Sequence, residues 1–269
     1  MATGASSARA SATPLRSRRR VDRMTPGQLR ILRAAFSAMM GIADDRGYTF
    51  FAGIHGLPLP IGCDNAHGTP FFLPWHRAYL FFFERALRDQ GPDAMLTWWD
   101  WTARPEAVPA AFADEEADGE PNPLLTAPVD PLALEQARAA GLEIGEHTER
   151  APGAAQLPTA AEVRTALNIR QFTRFSAAVE ELHNRVHVWV GGHMSQVPFA
   201  AFDPIFWAHH TMIDRLWRIW QLRHPGANPP ATILDEALPP FRMTVRQTLD
   251  VTVLGYDYAV STTSATVTQ

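Results

Sequence analysis

The sequence predicts a mainly α-helical domain, with a four-helix-bundle core, long loops and minor short strands. Three observations predict it. Apolar residues recur at helical spacing in four separate segments. The stretches between them concentrate Gly and Pro. Of the 269 residues, 46% are hydrophobic and 19% charged, enough apolar material for a sizeable core.

The first helix opens at Thr25-Pro26, an N-cap followed by proline at the first helical position. Leu29, Leu32, Phe36, Met39 and Met40 then make one apolar stripe. Phe50 to Gly68 is rich in Gly and Pro and reads as irregular loop. A second helix begins near Trp75 and runs through Ala78, Phe82, Ala86 and Leu87, apolar enough to be central. Arg104 to Pro131, punctuated by prolines and acids, reads as a long surface loop. A third helix spans about Arg170 to Val190 and is stopped by Gly191-Gly192. The fourth runs from about Pro204 to Leu222, before Pro225. Asp250 to Tyr258 alternates and is β-branched, which predicts a short strand. Residues 1–17, Ser/Ala-rich, read as a flexible arm, and residues 18–269 as one domain without internal repeats.

Net charge is −4, which points to neither nucleic acid nor a membrane surface as partner. No apolar run is long enough to span a bilayer. Cys63 is the single cysteine, so no intramolecular disulfide forms. The arginines at 16 and 18–20 are not followed by the apolar segment of an export signal. The default address is cytoplasmic, with export beside a partner protein left open.

The ten histidines cluster. His55, His67 and His76 sit in or beside one Gly/Pro-rich region, and His183, His187, His209 and His210 on two later helices. An i, i+4 pair such as His183 and His187 places two imidazoles on one helical face, converging on one ion. His187 precedes Val188-Trp189-Val190, and His210 lies among Phe206, Trp207, Ile213 and Trp217. Polar rings against such walls need partners, and a metal supplies them. An all-imidazole set suits copper, zinc or iron. His209 and His210 point about 100° apart on a helix, and periodicity does not choose between them. His147 and His224 read as structural, and His193 as a residue at the entrance.

The sequence resembles the superfamily of tyrosinase, catechol oxidase and molluscan-type hemocyanin, the type 3 copper proteins. The resemblance is carried by Gly53-Ile54-His55-Gly56, by Ala66-His67-Gly68-Thr69-Pro70 and by Pro74-Trp75-His76-Arg77-Ala78-Tyr79-Leu80. It continues in Trp98-Trp99-Asp100-Trp101 and in the run from Leu182 through His183-Asn184, His187 and Gly191-Gly192 to Met194. Asp203-Pro204-Ile205-Phe206-Trp207-Ala208-His209-His210 and Ile213-Asp214-Arg215-Leu216-Trp217 complete it.

The resemblance implies a dinuclear copper site enclosed by the bundle, with O2 as co-substrate. His55, His67 and His76 would hold the first copper, and His183, His187 and His210 the second, leaving His209 to pack beside them. It implies ortho-hydroxylation of monophenols and oxidation of o-diphenols to o-quinones. The alternatives are a catechol or o-aminophenol oxidase without hydroxylation and, more remotely, a hemocyanin-like oxygen carrier. It also implies that Glu180 and Asn184 hold a water that deprotonates the incoming phenol. Phe206 packs near the first copper, and Arg77, Asp100, Asp214 and Arg215 brace helices. Some members cross-link a cysteine to the second histidine through Cys-x-His, whereas Cys63 and His67 have three residues between them. The Tyr256-x-Tyr258 pattern closes the core in relatives, and no shielding domain follows it here. Short bacterial relatives use a separate copper-delivering or shielding protein, which is a candidate partner.

Overall fold

The computed structural model describes residues 15–59, 63–103 and 107–259. Eight α-helices appear among them, and their order follows the chain. Helix α1 (Pro26–Met40) starts in a capping box in which Thr25 and Gln28 satisfy each other's backbone N–H groups. Its stripe of Leu32, Ala35, Phe36 and Met39 is buried against α3 (Phe72–Gln90). Helices α7 (Phe172–Val190) and α8 (Pro204–Arg223) complete the four-helix core, with α3 packed on α8 and α7 on both. Almost every residue of α8 up to Trp217 is buried, so it is the central element. No helix among the described residues is long and apolar enough to cross a membrane.

The segment expected to be loop from Phe50 to Gly68 instead begins inside a helix, α2 (Tyr48–His55). Its glycine is there for packing. A Cβ on Gly53 would stand 3.0 Å from Pro58 Cδ, so the residue read as a breaker is a point of close approach. The 104–131 stretch is mostly irregular but carries the one-turn helix α4 (Ala110–Ala113) and a hairpin. The hairpin pairs β2 (Glu116–Ala117) with β3 (Glu120–Pro121) through Asp118-Gly119, both at positive φ, the turn an Asp-Gly pair favours. Two helices escaped the periodic reading because they are short: α5 (Pro131–Ala139), capped by Asp130, and α6 (Ala160–Leu167), opened by a Thr159–Glu162 capping box.

The expected strand at 250–258 shrinks to β4 (Tyr256–Tyr258), because residues 251–255 form turns. It pairs in parallel with β1 (Arg16–Arg18). The boundary drawn at residue 17 therefore cuts a strand, and Arg16 and Ser17 belong to the packed body. Most of the expected arm lies outside the described residues.

This strand pair serves α8. Arg18 is fully buried and donates to Glu84 Oε2 at 2.9 Å and to Asp214 Oδ2 at 3.1 Å. Tyr256 and Tyr258 donate their hydroxyls to the same Asp214 oxygen, and Arg77 of α3 donates to the other. The two guanidinium groups also lie on aromatic faces, Arg18 3.6 Å from the Tyr256 ring centre and Arg77 3.7 Å from that of Trp217. Burial opposes ionisation of Asp214, but the Arg77 and Arg18 charges outweigh it and hold the carboxyl below its usual range. Asp214 lies one turn beyond His210, so the clamp fixes the helix that carries this histidine.

Candidate metal centre

Each of five histidines is oriented through its Nδ1. His55, at the end of α2, meets the Val197 carbonyl at 3.1 Å. His67, in the loop before α3, meets Glu180 Oε1 at 2.9 Å. His76 reaches back one turn to the Phe72 carbonyl at 2.8 Å. His183 meets Asn184 Oδ1 at 2.9 Å, and His187 the Met194 carbonyl at 2.7 Å. Nδ1 carries the proton toward these oxygen acceptors, so Nε2 is left with its lone pair.

Those lone pairs point inward. The Nε2 atoms of His55, His67 and His76 are buried and have no hydrogen-bond partner. The Nε2 atoms of His183, His187 and His210 face one another at 2.8, 3.1 and 3.3 Å. Three nitrogens bonded to one ion at about 2.0–2.1 Å, spread at roughly 90–110°, would lie about this far apart. Two bare lone pairs at 2.8 Å would repel without a cation between them. The donor set therefore fits an imidazole-bound metal.

The first trio is more open, with ring centres 5.3–6.0 Å apart. It abuts the second where His76 stacks on His210 at 4.5 Å. Burial, followed by the neighbouring imidazoles, pushes the pKa values of His55, His76, His183 and His210 well down. Burial also takes His187 to about 4, against the bond to Met194. Neutral rings are the form a metal binds.

All six histidines expected as ligands lie in one region, but they group differently from the two expected trios: ligand atoms of His55, His76 and His210 lie within 4.8 Å of one another, as do those of His55, Cys63 and His67. His209 is fully buried and stacked on His183 at 5.1 Å, and one of its nitrogens lies within 4.8 Å of ligand nitrogens of His183, His187 and His210. Phe206 packs on His55 at 4.8 Å and on His210 at 4.0 Å. His193 does not line the entrance: it is buried, and its Nδ1 accepts the Glu149 N–H at 3.0 Å. His224 is bonded to the Leu167 carbonyl, and His147 is exposed. Cys63 is buried with its sulfur within 4.8 Å of imidazole nitrogens of His55 and His67, so chain spacing does not keep it from His67.

A cleft of about 700 Å³ opens onto His55, His67, His183 and His187. Glu180, Asn184 and Val188, at four-residue intervals along α7, form one wall. Glu180 Oε1 is shared, accepting from the Gly68 N–H at 2.8 Å as well as from His67. Sequence reasoning missed the carbonyls of Val197 and Met194, since backbone groups leave no residue-type signal. It also missed Arg150, which clamps Asp203, the N-cap of α8.

Gly56 ties the first trio to the cleft. A Cβ there would stand 2.4 Å from Pro198 Cα, next to the Val197 carbonyl that orients His55. Gly56→Ala is expected to weaken metal retention by about 10–100-fold, the usual cost of disturbing a ligand's support. Competition with a chelator would measure it.

Residues 45–223 match the family model described as the common central domain of tyrosinase. The tyrosinase of Streptomyces glaucescens is 37% identical over 186 residues, 61% of this chain and 66% of that protein. This chain therefore spans just under two thirds of that relative. The tyrosinase of Streptomyces lincolnensis is 34% identical over 231 residues, 72% of this chain and 82% of that protein. Among solved structures, a functional unit from Octopus hemocyanin superposes with a TM-score of 0.77 at 28% identity, covering 90% of this chain and 68% of that one.

Proposed function

The chain belongs to the tyrosinase family of type 3 copper proteins, and from that premise we propose that it oxidises phenols with O2 at a pair of copper ions. The carrying observation is the gathering of six imidazoles: the Nε2 atoms of His183, His187 and His210 face one another at 2.8, 3.1 and 3.3 Å, and beside them the Nε2 atoms of His55, His67 and His76 are buried without a hydrogen-bond partner. His55, His67 and His76 hold the first copper, and His183, His187 and His210 the second. A bound copper pair supplies the two-electron exchange with O2. The chain's residues supply the rest. Phe206 and the rings around it keep the floor of the site apolar. The cleft admits a ring-sized substrate to the face between the trios.

Glu180 and Asn184, one turn apart on the cleft wall, hold a water that takes the phenol proton. This step supports ortho-hydroxylation of monophenols in addition to oxidation of o-diphenols to o-quinones. The second reading, a catechol or o-aminophenol oxidase without hydroxylation, is favoured by the engagement of Glu180 Oε1 with His67 and Gly68. The open cleft favours both enzymes over an oxygen carrier.

Oxygen uptake by copper-loaded protein, with a monophenol and then a catechol, separates these readings. Consumption of the catechol alone selects the second; no uptake with either removes both. Glu180→Gln is expected to depress monophenol turnover about 10–100-fold more than catechol turnover, within the usual range for proton-transfer catalysis. Equal losses would leave Glu180 only as the anchor of His67.

A further inference from the structure

The double glycine that ends α7 has a second use. Gly191 and Gly192 sit at φ +68° and +55°. A Cβ on Gly191 would stand 2.4 Å from the Ala151 oxygen, and one on Gly192 2.0 Å from the Glu149 oxygen. Having no side chains, they let the segment Glu149-Arg150-Ala151 lie against the end of the helix. There the Ala151 N–H donates to the Val190 carbonyl at 3.0 Å, and the Gly153 N–H to that of Trp189 at 2.9 Å. His193, buried in the short turn Gly192–Ser195, grips the same segment twice. Its backbone N–H donates to the Glu149 carbonyl at 3.0 Å, and its Nδ1 accepts the Glu149 N–H at 3.0 Å. An accepting Nδ1 leaves the ring proton on Nε2, 3.4 Å from the Gly145 carbonyl. That is the opposite tautomer to the one His187 adopts against Met194.

Both ends of this segment lead to the second histidine trio. Met194, next to His193, supplies the carbonyl that meets His187 Nδ1 at 2.7 Å. Arg150 Nε donates to the Asp203 carboxylate at 2.8 and 3.0 Å, and Asp203 Oδ1 in turn accepts the Ile205 N–H that opens α8, the helix of His210. Resting on the copper reading above, we propose that Glu149-Arg150-Ala151 is a strap that sets the second metal position, with His193 as a positioning residue that acts through Met194 on His187. Without the Nδ1 acceptor, the turn keeps only its backbone bond to the strap, and the Met194 carbonyl is no longer fixed. His187 then loses its aligned acceptor, and its Nε2 drifts from the 2.8 and 3.3 Å it keeps to His183 and His210.

Three variants separate positioning from bulk. His193→Leu fills the space and removes the acceptor. His193→Gln places its carboxamide near the Nε2 position and misses Nδ1, while His193→Asn puts an oxygen about where Nδ1 stands. Copper(I) titration against a competing chelator is expected to show two binding steps in the parent. In His193→Leu and His193→Gln one step weakens about tenfold, the lower end of the cost of disturbing a ligand's support, and the other stays within about twofold. His193→Asn is expected to recover to within about threefold of the parent. Equal weakening of both steps, no weakening, or no recovery in His193→Asn overturns the proposal. Nitrogen NMR of the metal-free proteins gives a second readout. His187 is expected to hold its proton on Nδ1 in the parent and in His193→Asn, and to mix tautomers in the other two; a His187 signal unmoved in both of those also overturns it. A parent that binds no copper removes the copper reading, while the His187 tautomer still decides the role of His193.

Discussion

Replacing His183 by Ala is expected to halve the bound copper and to lower catechol-driven oxygen uptake by more than about 100-fold, above the usual cost of losing a ligand's support. His183 Nε2 makes the two shortest nitrogen contacts of the second trio, to His187 at 2.8 Å and to His210 at 3.1 Å. Without it, the remaining pair stands 3.3 Å apart with an open side. The ring also stacks on His209 and faces His67 at 5.5 Å across the junction of the trios, so its loss loosens both. Metal analysis and an oxygen electrode measure the two effects. His147→Ala, on an exposed loop, is the control and keeps full copper. Full copper in His183→Ala would defeat the ligand assignment.

The second large effect concerns stability. Asp214→Asn keeps the shape but removes the charge that holds Arg18, Arg77, Tyr256 and Tyr258 together. Leaving two buried guanidinium groups undercompensated costs about 3–5 kcal/mol, the range for breaking a buried ion pair. In a chain of this size that lowers Tm by roughly 6–20 °C. The pH dependence has a definite sign. The folded pKa of Asp214 is depressed, so its contribution is complete above the ordinary aspartate value of about 3.9 and is lost as pH falls through the folded value. Thermal scans of both proteins from neutral to acidic pH are expected to show a shallower acid limb in the variant. An unchanged Tm would mean that the clamp contributes nothing.

The four core helices were legible because burial imposes a period on their sequences, and α1 also carries its own start signal in Thr25-Pro26. Helix α2 was not, because Gly53 looks the same in sequence whether it breaks a helix or lets Pro58 approach one. The His183/His187 pair was visible in spacing alone, as one helix carries both. Joining it to His55, His67 and His76 required family resemblance, because their convergence is a property of three-dimensional packing. The choice of His210 over His209 came the same way. In the structure His210 Nε2 lies 3.1 Å from His183 Nε2, while His209 stacks on His183 with a nitrogen within 4.8 Å of the same group. Glu180 was singled out as a proton acceptor, and its bond to His67 had no signal in the sequence.

The β1–β4 pair has a consequence for the order in which the protein is made. All six candidate ligands lie between residues 55 and 210, so each has been synthesised before Tyr256 and Tyr258. At about 5–20 residues per second, those two hydroxyls reach Asp214 some seconds after His210 has been added. Over that interval α8 can pack on α3 and α7 while the last partners of its clamp are still missing. The nascent centre passes through a stage with every ligand present and its brace unfinished, and β4 closes that stage by pairing with β1.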